Sequence, residues 1–192
     1  MTFFKDYITR REAGFIFALM VSVFVLILFV MGQPAICECN SVKLWHGAVV
    51  SSENSQHISD WYTPSHIIHG FFFYMILRYL LPKWPVRSRI LVAVLLEGAW
   101  EIVENTDAII NHYREATISA DYYGDSILNS VSDLFAAMIG FLLAWRLPVK
   151  VTVFLALLME AFVGYTIRDN LLLNILMLVY PSEGVKNWQA GM

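Results

Sequence analysis

Long apolar segments are the feature that most constrains this chain, because a helix that crosses a bilayer needs about 20 mostly apolar residues. Composition agrees, since 58% of the residues are hydrophobic and only 15% are charged, against about 45–50% and about 25% in soluble domains. We therefore predict an all-α membrane bundle of about five transmembrane helices. The predicted spans are residues 13–32, 63–81, 89–110, 126–146 and 150–167.

The remaining segments are too short or too polar to cross a bilayer. A chain of 192 residues fits a single transmembrane domain, 1–192. Outer loops 33–62 and 111–125 join the spans, and a C-terminal segment, 168–192, follows the last one. Its apolar run at 171–180 is too short to span, so it predicts a short interfacial helix or a re-entrant segment.

The distribution of basic residues predicts the orientation. Most of the 13 Lys and Arg residues lie in the N-terminal segment and in the connections after the second and fourth spans. Positive charge marks the cytoplasmic side. We therefore predict a multi-pass protein of the cell inner membrane, with its N-terminus in the cytoplasm and its C-terminus in the periplasm. No basic stretch indicates nucleic acid as a partner.

Two cysteines, Cys37 and Cys39, fall just outside the membrane after the first predicted span. In an oxidising compartment they could bond to each other, pair with another chain or bind a soft metal. The C-x-C spacing alone leaves these three alternatives open.

The third predicted span carries three carboxylates on one helical stripe. Glu97, Glu101 and Glu104 are spaced by four and three residues, which places them on the same face. A charge at the bilayer centre costs about 2.5–3.5 kcal/mol. This stripe must therefore face protein or water and not lipid.

Neighbouring predicted spans carry polar residues at similar depths beneath the outer face. His66 and His69 share one face of the second span, and either alone is explained by a hydrogen bond between helices. Asp125 suits a helix N-cap, whereas Asp133 lies about two turns deeper in the fourth span. Glu160 adds a carboxylate to the fifth.

These groups predict a polar cavity that is reached from the periplasm, because intramembrane ionisable groups usually serve a function. The predicted catalytic residues are Glu101, Glu104, His69 and Asp133. A set of carboxylates and histidines also suits a divalent metal ion. The predicted metal ligands are His66, His69, Glu101 and Asp125.

The outer segments supply the predicted substrate-binding residues. His57 and Asp60 belong to a loop rich in His, amide and carboxylate groups, which suits a lid or a polar head group. Arg114 is the best candidate for binding an anionic group such as phosphate. Arg168 marks the outer end of the fifth predicted span and completes this set.

Nine short motifs are distributed over nearly the whole chain. They are CEC at 37–39, VKLWHG at 42–47, SSENSQH at 51–57, DWYTPSHIIHG at 60–70, EGAWE at 97–101, ENT at 104–106, YGDS at 123–126, NS at 129–130 and RDN at 168–170. With these motifs the chain resembles a family of small bacterial multi-pass inner-membrane proteins of unknown function. The resemblance implies an inner-membrane location but no activity.

The chain also resembles VanZ-like membrane proteins more loosely. Those proteins show a His in one span, a Glu in the next, and then an Asp-x-x-x-Asn stretch followed by glycine. The residues that are similar in order are His69, Glu97 or Glu101, Asp125, Asn129 and Gly140.

Three functions remain open from the sequence. The first is an enzyme, metal-assisted in one version, that acts on a lipid or a lipid-linked head group with a glutamate as general base. The second is a proton- or ion-linked carrier that uses the carboxylates as a relay. The third is a non-catalytic partner subunit in the membrane. The lipid bilayer is the expected partner in each case, and a homo-oligomer is compatible with all three.

Overall fold

The computed structural model describes residues 8–191, which form eight α-helices and, in that part of the chain, no strand. The prediction of an all-α fold is therefore confirmed. The helices are α1 (Arg10–Met31), α2 (Thr63–Leu80), α3 (Val86–Glu104), α4 (Asp107–Ala116), α5 (Ile127–Arg146), α6 (Val149–Ile167), α7 (Leu171–Val179) and α8 (Glu183–Ala190).

Within residues 8–191, three helices are long and apolar enough to cross a membrane: α1, α5 and α6. This is fewer than the five spans that we predicted. Helices α2 and α3 have 18 and 19 residues, but polar and charged residues interrupt their apolar sequences. Helix α2 contains His66, His69 and Arg78, and α3 contains two arginines and three glutamates.

The span predicted at 89–110 is wrong at its outer end. Helix α3 ends at Glu104 and α4 begins at Asp107. At this end the Glu101 carbonyl accepts both the backbone N–H (3.1 Å) and the side-chain amide (2.9 Å) of Asn105, the C-cap residue. As a result, α4 occupies part of the predicted loop 111–125, and the C-terminal segment contains two short helices where we predicted one.

Helices α2 and α5 approach each other closely at two glycines. A β-carbon added at Gly70 would lie 2.0 Å from the carbonyl oxygen of Ala137. One added at Gly140 would lie 2.0 Å from the carbonyl oxygen of Ile67. Only glycine allows the two backbones to come this near. This contact sets the position of the α2 histidines relative to the polar residues of α5.

The other long helices pack around this pair. Helix α1 contacts α3 and α5, α3 also contacts both α2 and α5, and α6 packs against α2. The short helices α4 and α7 contact each other. A buried cluster from α1, α3 and α5 forms the main apolar core; its members are Phe24, Leu28, Val94, Ile127 and Leu134.

The outer loop 33–62 is tied to the start of α5. The first N–H groups of a helix have no partner inside it. Here Ser126 N–H donates to the Ser55 carbonyl (3.0 Å) and Ile127 N–H donates to the Pro34 carbonyl (2.8 Å). The Ser126 hydroxyl accepts from Asn129 N–H (3.1 Å) as the N-cap. The loop therefore covers the outer end of α5.

Candidate functional site

A cavity of about 530 Å³ lies between α2, α3, α4, α5 and α7 and is also lined by residues of the loops before α2 and α5. Its lining contains both polar and apolar side chains. The polar lining residues include Tyr62, His66, His69, Glu104, Tyr113, Tyr122, Asp125, Asn129, Asp133, Asp169 and Asn174. The apolar lining residues are Phe73, Leu96, Ala99, Trp100, Val103, Leu171 and Ile175.

Glu97 joins the two histidines of α2 at the base of this site. Its side chain is fully buried. His66 Nδ1 lies 2.7 Å from Glu97 Oε1, and His69 Nδ1 lies 3.1 Å from Glu97 Oε2. Because an ionised carboxylate only accepts hydrogen bonds, Nδ1 is the protonated nitrogen of each ring. Sequence reasoning placed Glu97 on the polar stripe but gave it no role in the site.

Two further carboxylates converge on His66. Glu101 Oε1 lies 3.3 Å from His66 Nδ1, and Asp133 Oδ2 lies 3.8 Å from His66 Nε2. Both carboxylates are buried. Neither oxygen of Glu101 has a hydrogen-bond partner, and Oδ1 of Asp133 has none either. The structure thus brings together His66, His69, Glu101 and Asp133 from the residues predicted for the site.

Asp125 occupies a different environment at the outer end of the cavity. Its Oδ2 accepts from the Asn105 side-chain amide (2.9 Å), and its Oδ1 accepts from the Tyr122 hydroxyl (3.0 Å). Burial raises the pKa of Asp125 to about 6, although these two hydrogen bonds lower it. Asp125 and the predicted residue Glu104 both line the cavity. The two carboxylate oxygens of Asp125 already accept hydrogen bonds from Asn105 and Tyr122.

The two arginines predicted to bind substrate do not line the cavity. Arg114 Nε donates to the Ala120 carbonyl (3.2 Å). Arg168 donates to the Trp188 carbonyl (2.8 Å), and its guanidinium lies over the Trp188 ring. Both side chains therefore stabilise outer segments. Within residues 8–191, no lysine or arginine is among the residues that line the cavity.

His57 and Asp60 are buried in the outer loop but are also not among the lining residues. His57 Nε2 lies 2.9 Å from Glu53, which also binds Lys43. These two partners lower the pKa of Glu53 to about 2. Burial raises the pKa of Asp60, although its oxygens accept backbone N–H groups of Tyr62 and Ser55. Both predicted residues hold the loop together.

Glu160 caps a helix and does not belong to the cavity. Its two carboxylate oxygens accept from the N–H groups of Leu171 (3.1 Å) and Leu172 (3.0 Å), at the first turn of α7. Asn170 adds a side-chain cap at the same turn. A carboxylate at a helix N-terminus is stabilised by the helix dipole. The polar residue in this span therefore has a structural explanation.

The two cysteines are bonded to each other as a Cys37–Cys39 disulfide. Cys37 is buried, whereas Cys39 is exposed. Of the three alternatives that the sequence left open, the structure contains the local disulfide. It lies near Glu53 and His57 in the outer loop.

Residues from the segment after α6 were missed as cavity residues. The Tyr62 hydroxyl donates to Asp169 (3.0 Å), and the Tyr113 hydroxyl donates to Asn174. Asn174 is the only polar residue of the nine in α7, and this isolation was a signal that could have identified it. No local signal predicted that α7 folds back against α4, because that contact joins distant parts of the chain.

We expect Asp169 to make stability depend on pH. Burial raises the pKa of Asp169 from its ordinary 3.8 to about 6, against the effect of the Tyr62 hydrogen bond. The folded state then keeps a proton that the unfolded state releases. This contribution is present below about pH 4 and is lost as the pH rises through about 6. Thermal unfolding in detergent should show a fall in Tm over this range that is shallower in Asp169→Asn. Equal slopes would contradict this assignment.

The fold and the site together define a class: a small all-α protein whose apolar helices surround a cavity of histidine and carboxylate side chains. A family model described as "Protein of unknown function (DUF2585)" matches residues 28–191, and the chain belongs to this family. The predicted resemblance to a family of unknown function is therefore confirmed. The matched family and relatives do not support the looser likeness to VanZ-like proteins.

Bacterial relatives are similar over nearly the whole chain. A UPF0314 protein of Sinorhizobium fredii is 60% identical, over 90% of this chain and 88% of its own length. One from Rhizobium meliloti is 55% identical, over 98% and 96%. One from Sphingopyxis alaskensis is 51% identical, over 94% and 96%. No solved structure matches the chain.

Proposed function

We propose that this protein is an integral inner-membrane enzyme that binds an amphiphilic lipid, or a lipid-linked compound, in the cavity and acts on its head group from the periplasmic side. The observation that carries the proposal is the lining of the cavity, which combines polar and apolar side chains. A lipid combines a polar head group with apolar chains. Ligand sites are generally apolar pockets with a few placed polar groups.

The rim of the cavity supports entry from the hydrocarbon region. Leu96, Val103 and Ile175 line the cavity and are also 42%, 47% and 46% exposed. Exposed apolar side chains at a cavity edge suit contact with acyl chains and not with water. The first two belong to α3 and the third to α7, so an acyl chain would pass between these two helices.

The proposal includes five membrane-crossing helices. Two of them, α2 and α3, are not recognised as membrane spans from their composition alone. Their polar groups point inward: Glu97 and Glu101 are fully buried. Their outer faces are apolar, as Phe72, Met75 and Leu95 show with 48%, 57% and 61% exposure. Lipid would therefore contact apolar side chains. The positive-inside rule then places the N-terminus in the cytoplasm.

The polar lining residues include groups that can move protons. His69 and Glu104 line the cavity, and histidine and carboxylate side chains are the usual general acids and bases. We propose Glu104 as the base and His69 as the acid. Asp133 also lines the cavity, and Glu101 lies within 3.3 Å of His66; both would act by binding and not by proton transfer.

A carrier is less consistent with the packing below the site. The buried side chains of Leu77, Ala93 and Phe141 form an apolar cluster between α2, α3 and α5, and Phe141 is fully buried. Under the proposed topology this cluster lies on the cytoplasmic side of the cavity. A proton or ion relay would need polar groups or water through that region.

Cross-linking tests the binding step. Protein in nanodiscs is irradiated with a phospholipid that carries a diazirine in its acyl chain, and the modified residues are mapped by mass spectrometry. We expect labels on Leu96, Trp100, Val103 and Ile175, because these residues belong to the apolar lining of the cavity. Labels confined to the outward faces of α1 and α6 would contradict a lipid in the cavity.

Turnover tests the chemical step. Wild-type protein is incubated with a bacterial lipid extract, and altered lipid species are followed by liquid chromatography and mass spectrometry. Glu104→Gln should lower turnover by roughly 100-fold or more, the usual scale for acid–base groups. Glu183→Gln, an exposed carboxylate on α8, is the matched control and should be unaffected. Cross-linking without any altered lipid would contradict the enzymatic role alone.

A further inference from the structure

Three carboxylates surround His66 beside the cavity. Glu97, Glu101 and Asp133 approach it at 2.7, 3.3 and 3.8 Å. His69 is a second partner of Glu97, and among residues 8–191 the cavity lining includes no lysine or arginine. Two histidines can balance at most two of three carboxylate charges, and buried charge is costly without compensation.

Glu101 and Asp133 also have unused hydrogen-bonding capacity. Glu101 is fully buried, and neither of its oxygens has a hydrogen-bond partner. Oδ1 of the buried Asp133 has none. Leaving a buried charged group unsatisfied costs more than the typical 1–3 kcal/mol for a neutral one. Water alone does not supply the missing positive charge, whereas a cation supplies both charge and partners.

We propose that His66, Glu101 and Asp133 bind one divalent metal ion. Each residue offers one ligand atom, and the three atoms lie within 4.8 Å of one another. Metal–ligand bonds of roughly 2.0–2.2 Å place ligands at most about 4.4 Å apart. Small side-chain rotations would therefore bring the three atoms onto one ion. One imidazole and two carboxylates suit Zn²⁺ or Mn²⁺ and not a soft ion such as Cu⁺.

Glu97 positions the histidine for this role. It accepts the Nδ1 proton of His66, which leaves the Nε2 lone pair free, and Nε2 is the nitrogen that faces Asp133. Metal-binding histidines usually donate their other ring N–H to a carboxylate in this way. Glu97 is a positioning residue, and His69 holds its second oxygen.

The proposed ligand set differs from the sequence prediction in two residues. Asp125 is left out because both of its oxygens already accept hydrogen bonds, and His69 is left out because it clusters with His66 and Glu97 and not with Glu101 and Asp133. Asp133 enters instead. Three protein ligands leave coordination positions open for water or substrate, as in catalytic sites. The metal uses the same cavity as the proposed function but does not depend on a lipid being the substrate.

Metal titration tests the proposal. The full-length protein is purified in detergent, stripped with chelator, titrated with Zn²⁺ or Mn²⁺, and analysed by mass spectrometry for bound metal. We expect one equivalent and a rise in Tm, since ligands that bind only the folded state stabilise it. Asp133→Asn and Glu101→Gln should weaken binding by more than about 100-fold, and Glu97→Gln by about 10–100-fold. Asp125→Asn and Glu183→Gln should retain one equivalent.

If a variant does not fold, X-ray absorption at the zinc edge of the wild-type protein still identifies the ligand atoms of the bound zinc. We expect only nitrogen and oxygen ligands. A sulfur shell at about 2.3 Å would instead assign the zinc to the reduced thiolates of Cys37 and Cys39, which lie near His57 and Glu53, and would overturn the proposal. Substoichiometric binding, or full binding by Asp133→Asn, would also overturn it.

The metal and lipid proposals can fail separately. Lipid cross-linking is repeated on the metal-free protein, because the apolar lining residues of the cavity include none of the three proposed ligands. Cross-linking at these apolar residues without metal binding contradicts the metal site alone. Metal binding without such cross-linking supports the metal site and contradicts only the lipid-binding step.

Discussion

Replacing Gly140 with alanine is expected to prevent the protein from accumulating in its folded form. The new β-carbon would lie 2.0 Å from the carbonyl oxygen of Ile67, a backbone atom that no side-chain rotation can move away. Gly70→Ala should have the same effect, because its β-carbon would lie 2.0 Å from the Ala137 carbonyl oxygen. Helices α2 and α5 would have to separate, and their packing in the core would be lost.

Two other helical glycines provide matched controls. A β-carbon at Gly98, also buried, would meet only side-chain atoms at 3.6 Å, and one at Gly14 would meet nothing within 4 Å. Alanine at these positions should be tolerated, with a gain of up to about 1 kcal/mol from helix propensity. Size-exclusion profiles and Tm in detergent measure the outcome. An unchanged Tm in Gly140→Ala would contradict the close α2–α5 contact.

Glu97→Leu is expected to cause the second largest effect, a loss of roughly 3–5 kcal/mol in the free energy of unfolding. The fully buried carboxylate holds both His66 and His69. Leucine cannot accept a hydrogen bond, so both ring N–H groups would remain buried without partners. Glu97→Gln should cost less, because the amide oxygen still accepts one hydrogen bond.

Chemical unfolding in detergent, followed by circular dichroism, measures the difference. Glu183→Leu is the control, since Glu183 is exposed at the start of α8 and its replacement should change stability by less than about 0.5 kcal/mol. If Glu97→Leu were as stable as the wild type, the hydrogen bonds between Glu97 and the histidines would not contribute to the fold.

Much of the candidate site followed from helical spacing. His66 and His69 were placed on one face of α2, and Glu101 and Glu104 on one face of α3, because residues three or four apart lie on the same side of a helix. The structure does bring residues from both stripes to one cavity. Which carboxylate binds which histidine could not be predicted, because it depends on the register between helices that are distant in sequence.

The roles of the outer residues depended on contacts that no local pattern indicates. Arg114 and Arg168 looked suitable for an anionic ligand, but each donates to a backbone carbonyl outside the cavity. Glu160 looked like a cavity residue, but it caps α7 because the chain reverses direction after α6. Charge and position along the chain do not reveal such partners.

By itself, the sequence determined that the chain is helical, where its apolar helices lie, and which of their faces are polar. These properties depend on neighbours within one or two turns, so spacing and hydropathy are sufficient to determine them. Only the tertiary structure decided that α3 ends at Glu104, that Glu97 joins two histidines, and that Asp133 and not Asp125 lies beside Glu101. The last two features depend on how α2, α3 and α5 pack against one another, which contacts between residues far apart in the chain decide. The end of α3 coincides with Asn105, whose side chain also binds the distant Asp125.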